Sequence, residues 1–318
     1  EIDMSDLSST EHPHLPSDVC NYEHQITGYG NLLPHKIGDD PLGQFLYSPS
    51  ERCVYKPVQE APKGPREVNF YEAVFGLRKD EPPFDPQQRH QVQQLSALRC
   101  FLSSFLGVHQ HPVTGKLYIR LSDLLDGFAR PSIIDIKMGA RRHEPDCSGE
   151  TKERPDRYAY RQQTGFFVTG MRLWRQECHG YELHGKRYGR EVTPSNMQTA
   201  VLQPLLSTAP AQHRVFLVKQ LLAGLESLQR WFETQRMYHF YASSILLGVE
   251  SCPQRDPDVL VCMVDFTHVV PVPDNQPDTG YLLGLGNLIG ICCECERELL
   301  PAQRDSSQVV DVFHPLNN

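Results

Sequence analysis

No stretch of the 318 residues approaches the roughly 20 uncharged apolar residues that a membrane helix requires, so no membrane span is expected. Positive charge is scarce too: 31 Lys and Arg face 39 Asp and Glu, a net charge of −8. General nucleic-acid binding, which needs a basic face, is therefore not expected. The ten cysteines are scattered singly apart from Cys292, Cys293 and Cys295, and no paired CxxC accompanies those three. A disulfide framework and a zinc site are both poor readings, and reduced thiols suit the cytoplasm or the nucleus. The first residues, EIDMSDLSST, are acidic and unlike an export signal, and the absence of an initiator Met fits a trimmed N-terminus. There is no GxxxxGK[ST], which removes the P-loop, and no basic import run to decide between nucleus and cytoplasm.

What is present starts with PSIIDIKMG, residues 131 to 139, an acid and a base inside an otherwise apolar strand. Alternation sends Ile134, Ile136 and Met138 to one face and Ile133, Asp135 and Lys137 to the other. Pro131 can only open such a strand and Gly139 lets the chain turn out of it, so the charged pair lies near the strand's end. Between Arg130 and Arg161, eight Lys or Arg outnumber six acids, a local excess of positive charge in an acidic protein. Such a segment is either a solvated mixed-charge helix or a clamp for phosphates.

Upstream, QFLY and RCVYKPV predict two strands joined by a turn, with Lys56 on the second. KGPREVNFYEAVFG predicts a helix with Pro65 near its start and Gly76 at its end. Glu67 shares that helix's apolar stripe with Phe70, Tyr71 and Val74, and a buried carboxylate needs a countercharge. Lys56 is the candidate; the alternative is that Glu67 reaches solvent at the helix edge. A strand lysine held by a helix glutamate is how kinase-like lobes aim an ammonium at nucleotide phosphates. Asp265, interrupting VLVCMVDFTHVV, repeats the puzzle of Asp135, and a divalent cation is one remedy for such a carboxylate.

The remaining pattern gives an α+β chain: a flexible leader over 1–22, a lobe over 23–122 and a second lobe over 123–318. A helix is expected from Asp85 through DPQQRHQVQQLSALRCFLSSFLG, then a strand in GKLYIRLSDLLDGF leading to the connector. Strands are expected at GFFVTGMRLW and FYASSILLGVE, and long helices at AQHRVFLVKQLLAGLESLQRWFETQ and GYLLGLGNLIGICCECEREL.

These residues carry a resemblance. PSIIDIKMG fits the PxxxDxKxG signature of the inositol polyphosphate kinase family, and ASSILL followed by VDFTH resembles its SSLL and DFAH motifs. HQITGYG, KGPREVNFYE, GFFVTGMRLW, YGRE and DTGYLLGLGNLIGI occur in the same order as in the multikinases of that family, over roughly residues 22 to 295. The resemblance implies a two-lobed fold related to protein kinases and ATP-grasp proteins, with antiparallel sheets flanked by helices and ATP in the cleft. It implies ATP and Mg²⁺ as cofactors and inositol polyphosphates as partners, with phosphoinositide lipid headgroups as a related class. Lys56 then matches the ATP-phosphate lysine and Glu67 its partner. Ser122, Asp123 and Leu124 match the adenine-holding hinge, Asp135 and Lys137 the catalytic acid and lysine, and Asp265 with Ser244 the metal site. Segment 140–163 would bind the inositol phosphate through Lys152, Arg157 and Arg161, with His268 on the same side.

Only 25 residues separate Gly139 from Gly165, too few for the inserted substrate domain of the trisphosphate 3-kinases. The span from Ser244 to Asp265 is short compared with the hexakisphosphate kinases. The expected activity is thus ATP-dependent phosphorylation of inositol tris- and tetrakisphosphates; the alternatives are a pyrophosphate-forming hexakisphosphate kinase and a non-catalytic inositol phosphate-binding scaffold. Pro155 and a slightly shortened segment depart from the multikinase pattern, as does Ser122, which stands where Glu is usual.

Overall fold

The computed structural model describes residues 7, 11–26, 44–76, 86–144, 157–272 and 275–300. The N-terminal sheet contains β1 (Cys20–Asn21), β2 (Leu46–Ser48), β3 (Cys53–Pro57), β4 (Phe105–Gln110) and β5 (Leu117–Ser122), in the order β1-β2-β3-β5-β4. In the second lobe come β6 (Pro131–Met138), β7 (Phe166–Arg175), β8 (Gly180–His184), β9 (Tyr238–Phe240), β10 (Ser244–Glu250), β11 (Val259–Val264) and β12 (Val269–Pro271). Its main sheet runs β11-β10-β6-β7-β8, and β9 pairs with β12. All these pairings are antiparallel. The α-helices are α1 (Lys63–Phe75), α2 (Pro86–Ala97), α3 (Arg161–Thr164), α4 (Lys186–Glu191), α5 (Gln203–Ser207), α6 (Arg214–Thr234) and α7 (Thr279–Leu299). Among the described residues no helix is long and apolar enough to cross a membrane.

Three expectations change. The helix foreseen as far as Gly107 stops at Ala97, adds a 3₁₀ turn at Leu98–Phe101 and gives way to β4. Ser103 and Ser104 explain the break: Ser103 Oγ donates to Ser122 O at 2.5 Å and Ser104 N donates to Ser122 Oγ at 2.9 Å, bonds that draw the chain into the sheet rather than a further helical turn. FYASSILLGVE forms two strands, parted where Ala242 adopts φ 54°. The supposed leader is ordered over much of its second half. Leu15 is buried against Tyr55 and Tyr118, Gln110 N donates to Pro13 O at 2.8 Å, and Cys20–Asn21 is a sheet strand. Beyond it Tyr22 Oη donates to Asp123 at 2.6 Å and Arg172 Nη1 donates to His24 Nδ1 at 2.7 Å, so this segment spans both lobes.

Strand β6 is the centre of its sheet, and its alternation decides which side meets the cleft. Ile134, Ile136 and Met138 join the apolar core with Leu217, Leu221 and Leu285, whereas Asp135 and Lys137 face away. Helix α7 approaches β6 closely because Gly284 lies on Gly165, whose φ of +67° itself favours glycine. A Cβ at Gly284 would stand 2.4 Å from Gly165 O and 2.8 Å from Met138 Cε. Gly284→Ala should therefore destabilise the protein by about 1–3 kcal/mol or more, read as an earlier urea-unfolding midpoint at unchanged slope.

The lobes meet through α1. Phe266, just after β11, packs on Phe70 (ring centroids 4.5 Å) and Tyr71 (5.3 Å). Trp231 Nε1 of α6 donates to Gln94 O of α2 at 2.7 Å, a second tie between the lobes.

Candidate functional site

Lys56 leaves β3 on the face shared with Val54 and Ile119, toward α1, and its neighbours there are charged. Lys56 Nζ donates to Glu67 Oε1 at 2.7 Å and to Asp265 Oδ1 at 2.5 Å. Glu67 is fully buried, which rules out the edge-of-helix alternative, and the same Oε1 accepts from Phe266 N at 3.0 Å. One carboxylate thus fixes the lysine and the backbone beside Asp265. Lys56 also lies 5.9 Å from the Phe45 ring centroid.

Asp265 directly follows β11 at φ 65°, a left-handed conformation that Asp tolerates better than bulky residues do. That turn brings its carboxylate, 38% exposed, to Lys56. Burial alone would raise the Asp265 carboxyl; the charge and hydrogen bond of Lys56, with a contribution from Lys137, outweigh it and hold the group below its ordinary value. For Lys56, burial would favour the neutral amine, but Asp265 and Glu67 win and push it above the usual lysine value.

Asp135 and Lys137 approach from β6. Lys137 pairs directly with Ser244 on β10 and Phe167 on β7, and Ser244 pairs with Val264, the residue before Asp265. Directly opposed residues share a face, so Lys137, Ser244 and the end of β11 converge. Asp135 is buried two residues back on the same face. There the register with β7 slips: Asp135 opposes Gly170 and Ile136 opposes Val168. The extra residue, Thr169, donates its hydroxyl to Asp135 O at 2.9 Å, so the bulge leaves that carbonyl satisfied.

A divalent cation would find suitable donors here. Ser244 Oγ is buried and makes no hydrogen bond among the described residues, an orphaned oxygen on the residue that pairs with Val264, immediately before the partly open carboxylate of Asp265. Mg²⁺ takes one or two protein oxygens and completes its shell with phosphate oxygens and water, which suits Asp265 with Ser244. No cluster of three His, Cys, Asp or Glu capable of holding a metal occurs among the described residues. On α7, burial pushes the Cys292 thiol well above its ordinary value and Cys295 up to about 11, so both stay protonated near neutrality.

Other expected residues are placed less simply. In the hinge, Ser122 N donates to Ser104 O and Ser122 O accepts from Ser103, so its backbone serves the sheet. Asp123 holds Tyr22 and Leu125 N through its carboxylate. Leu124 alone of the three keeps its backbone N–H and C=O free of hydrogen bonds among the described residues. Arg161 is buried, with its guanidinium 5.3 Å from the Phe167 ring centroid, next to Lys137 across the β6–β7 pairing. Arg157 is exposed, and Lys152 with Arg154 lies outside the described residues. His268 sits close to Glu144, with Nδ1 2.9 Å from Oε1. Glu144 and its second partner, Arg66, were not picked out by sequence reasoning, since neither lies on an apolar stripe. The adjacency of Arg66 to Glu67 was the only local signal.

Residues 118–293 match the family described as inositol polyphosphate kinase. Among related sequences, inositol polyphosphate multikinases from Rattus norvegicus (27% identity, 84% of this chain and 68% of that protein) and Homo sapiens (30%, 73% and 51%) are similar. Inositol polyphosphate multikinase beta of Arabidopsis thaliana is 29% identical over 84% of this chain and 90% of its own length. The chain thus spans from about half to two thirds of the length of these two mammalian relatives. The fold resembles the inositol phosphate multikinase Ipk2 from S. cerevisiae, solved with ADP and Mn²⁺ (TM-score 0.60, 23% identity, 76% of this chain and 98% of that one). Because the matched stretch covers more than half of the chain and takes in β6 and β10, with Asp135, Lys137 and Ser244 on them, and Asp265 directly after β11, the chain belongs to the inositol polyphosphate kinase family.

Proposed function

We propose that this chain transfers the terminal phosphoryl group of ATP to hydroxyl groups of inositol polyphosphates, with the tris- and tetrakisphosphates as acceptors. The observation that carries this reading is the meeting of Lys56, Glu67 and Asp265 across the lobes with the Asp135–Lys137–Ser244 face of the second sheet. The ADP and Mn²⁺ bound by the S. cerevisiae relative support a nucleotide and a divalent cation in the same cleft.

Phosphoryl transfer asks a protein mainly for positioning and charge stabilisation. An ammonium has three N–H groups; Glu67 and Asp265 take two of Lys56's, and the third remains for a phosphate oxygen. Lys137 offers positive charge to the transferring group, where it gains most value as negative charge builds up. Asp135, two residues back on that face, would meet the nucleotide sugar. Asp265 and Ser244 would hold Mg²⁺, which would supply Lewis-acid stabilisation of phosphate oxygens. No strong base adjoins Lys137 among these groups, so the acceptor hydroxyl loses its proton late, to Asp135 or to water. Leu124 offers the adenine its free backbone groups, and Arg157, Arg161 and His268 form the acceptor side.

The test is turnover with ATP and Mg²⁺ across inositol tris-, tetrakis-, pentakis- and hexakisphosphate, for the wild type and Lys137→Ala. Product from the tris- and tetrakisphosphates, with kcat reduced about 10²-fold or more in the variant, is expected. Product from the hexakisphosphate alone would identify a pyrophosphate-forming kinase, and near-normal turnover by Lys137→Ala would remove Lys137 from the reaction.

A further inference from the structure

Glu144 has no place in the reaction just described, yet its carboxylate lies in the same cleft. Arg66 Nη1 donates to Glu144 Oε1 at 2.6 Å, and His268 Nδ1 is 2.9 Å from that same oxygen. Arg66 belongs to α1 of the first lobe, one residue before Glu67, and His268 stands three residues after Asp265 in the second. Glu144 itself comes from the chain leaving β6, seven residues beyond Lys137. The three side chains are 37%, 24% and 16% exposed for Arg66, His268 and Glu144, so the cluster is sheltered yet open to a ligand. Two nitrogen donors reaching from opposite lobes toward one anionic oxygen make a phosphate-type slot, and here the chain's own carboxylate fills it.

Resting on the kinase reading above, we infer that Glu144 is a built-in competitor for the acceptor: it occupies the Arg66–His268 slot, and a phosphate group of the substrate must displace it to bind. The exchange selects by charge. A phosphate monoester carries about −1.5 to −2 at neutral pH, against −1 for a carboxylate, and offers three acceptor oxygens. A polyphosphorylated ring outbids Glu144, whereas a carboxylate, a sulfate ester or a phosphodiester brings a single negative charge, no more than Glu144 already supplies to the slot. Glu144 thereby sharpens preference for highly phosphorylated ligands by disfavouring the others, without touching the transferred group.

The same contacts would exist if Glu144 only held Arg66 and His268 in place, but the two roles predict opposite signs. A competitor's removal tightens binding; a scaffold's removal loosens it. The experiment is calorimetric titration of the nucleotide-free protein with inositol hexakisphosphate at fixed ionic strength, comparing wild type, Glu144→Gln and Glu144→Ala. Both variants are expected to lower Kd about five- to tenfold, as loss of one nearby like charge should. In an Arg66→Ala background the gain should shrink to less than about twofold, because the slot then lacks one donor. Unchanged or weaker binding in both variants would overturn the inference. The readout is independent of turnover, so failure of the kinase reading would appear separately, as wild-type protein that phosphorylates no inositol polyphosphate.

Discussion

Asp265→Asn is expected to lose phosphoryl transfer to every inositol polyphosphate by a factor of at least about 10³, because the cation's contribution to the transition state is worth several kcal/mol and each ~1.4 kcal/mol is tenfold. The expectation rests on how little else the substitution disturbs. An amide of the same shape still accepts from Lys56, which remains anchored by Glu67 at 2.7 Å, and the backbone beside it is fixed independently by the Phe266 N–Glu67 bond. The fold should therefore survive, with nucleotide binding in the absence of Mg²⁺ close to wild type. What disappears is the charge that, on this assignment, would hold a cation together with Ser244's orphaned hydroxyl. Turnover within tenfold of the wild type would place the metal elsewhere and sink this assignment.

Lys56→Met should strike both stability and catalysis. Methionine occupies similar volume but leaves the fully buried Glu67 with no countercharge, and breaking a buried pair from one side costs about 3–5 kcal/mol. The pH dependence gives a second reading of the same change. Asp265's carboxyl is depressed in the folded protein, so its share of the stability is complete above the ordinary carboxylate value of 3.8 and is lost as pH falls through the folded value. Lys56 is raised, so its share is complete below the ordinary 10.5 and is lost as pH rises through its folded value. The wild-type advantage over Lys56→Met, measured by urea unfolding, should thus be level between those limits and narrow outside them. A gap that widens below pH 3.8 would contradict this. In the turnover assay the variant should raise the KM for ATP more than that for the acceptor.

The features legible in the sequence were those with a local period. Strand alternation put Asp135 and Lys137 on one face, and helical spacing put Glu67 among Phe70, Tyr71 and Val74, where burial then forced a partner. Positions 103 and 104 misled because the serines' hydrogen bonds to Ser122 override a helical composition. The Arg66–Glu144–His268 cluster has no period at all: its bonds join residues 78 and 124 positions apart, and each member is an ordinary polar residue in its own neighbourhood. Arg161 was one basic residue among eight by composition and an acceptor-binding residue only by resemblance; its packing against Phe167 depends on a cross-strand neighbour of Lys137 that only the register supplies.

The junction built by Phe266 has a wider consequence. One continuous apolar cluster includes Val68, Phe70 and Ile119 from the first lobe together with Ile134, Leu221 and Phe266 from the second. A chain so joined has no seam along which it can come apart in stages. Its halves should melt as one cooperative unit, and α1, though it lies between β3 and β4 of the N-terminal sheet in sequence, should travel with the opposite lobe. Admission of a ligand then falls to small shifts of the N-terminal sheet over a helix that stays still, rather than to a jaw swinging on the connector.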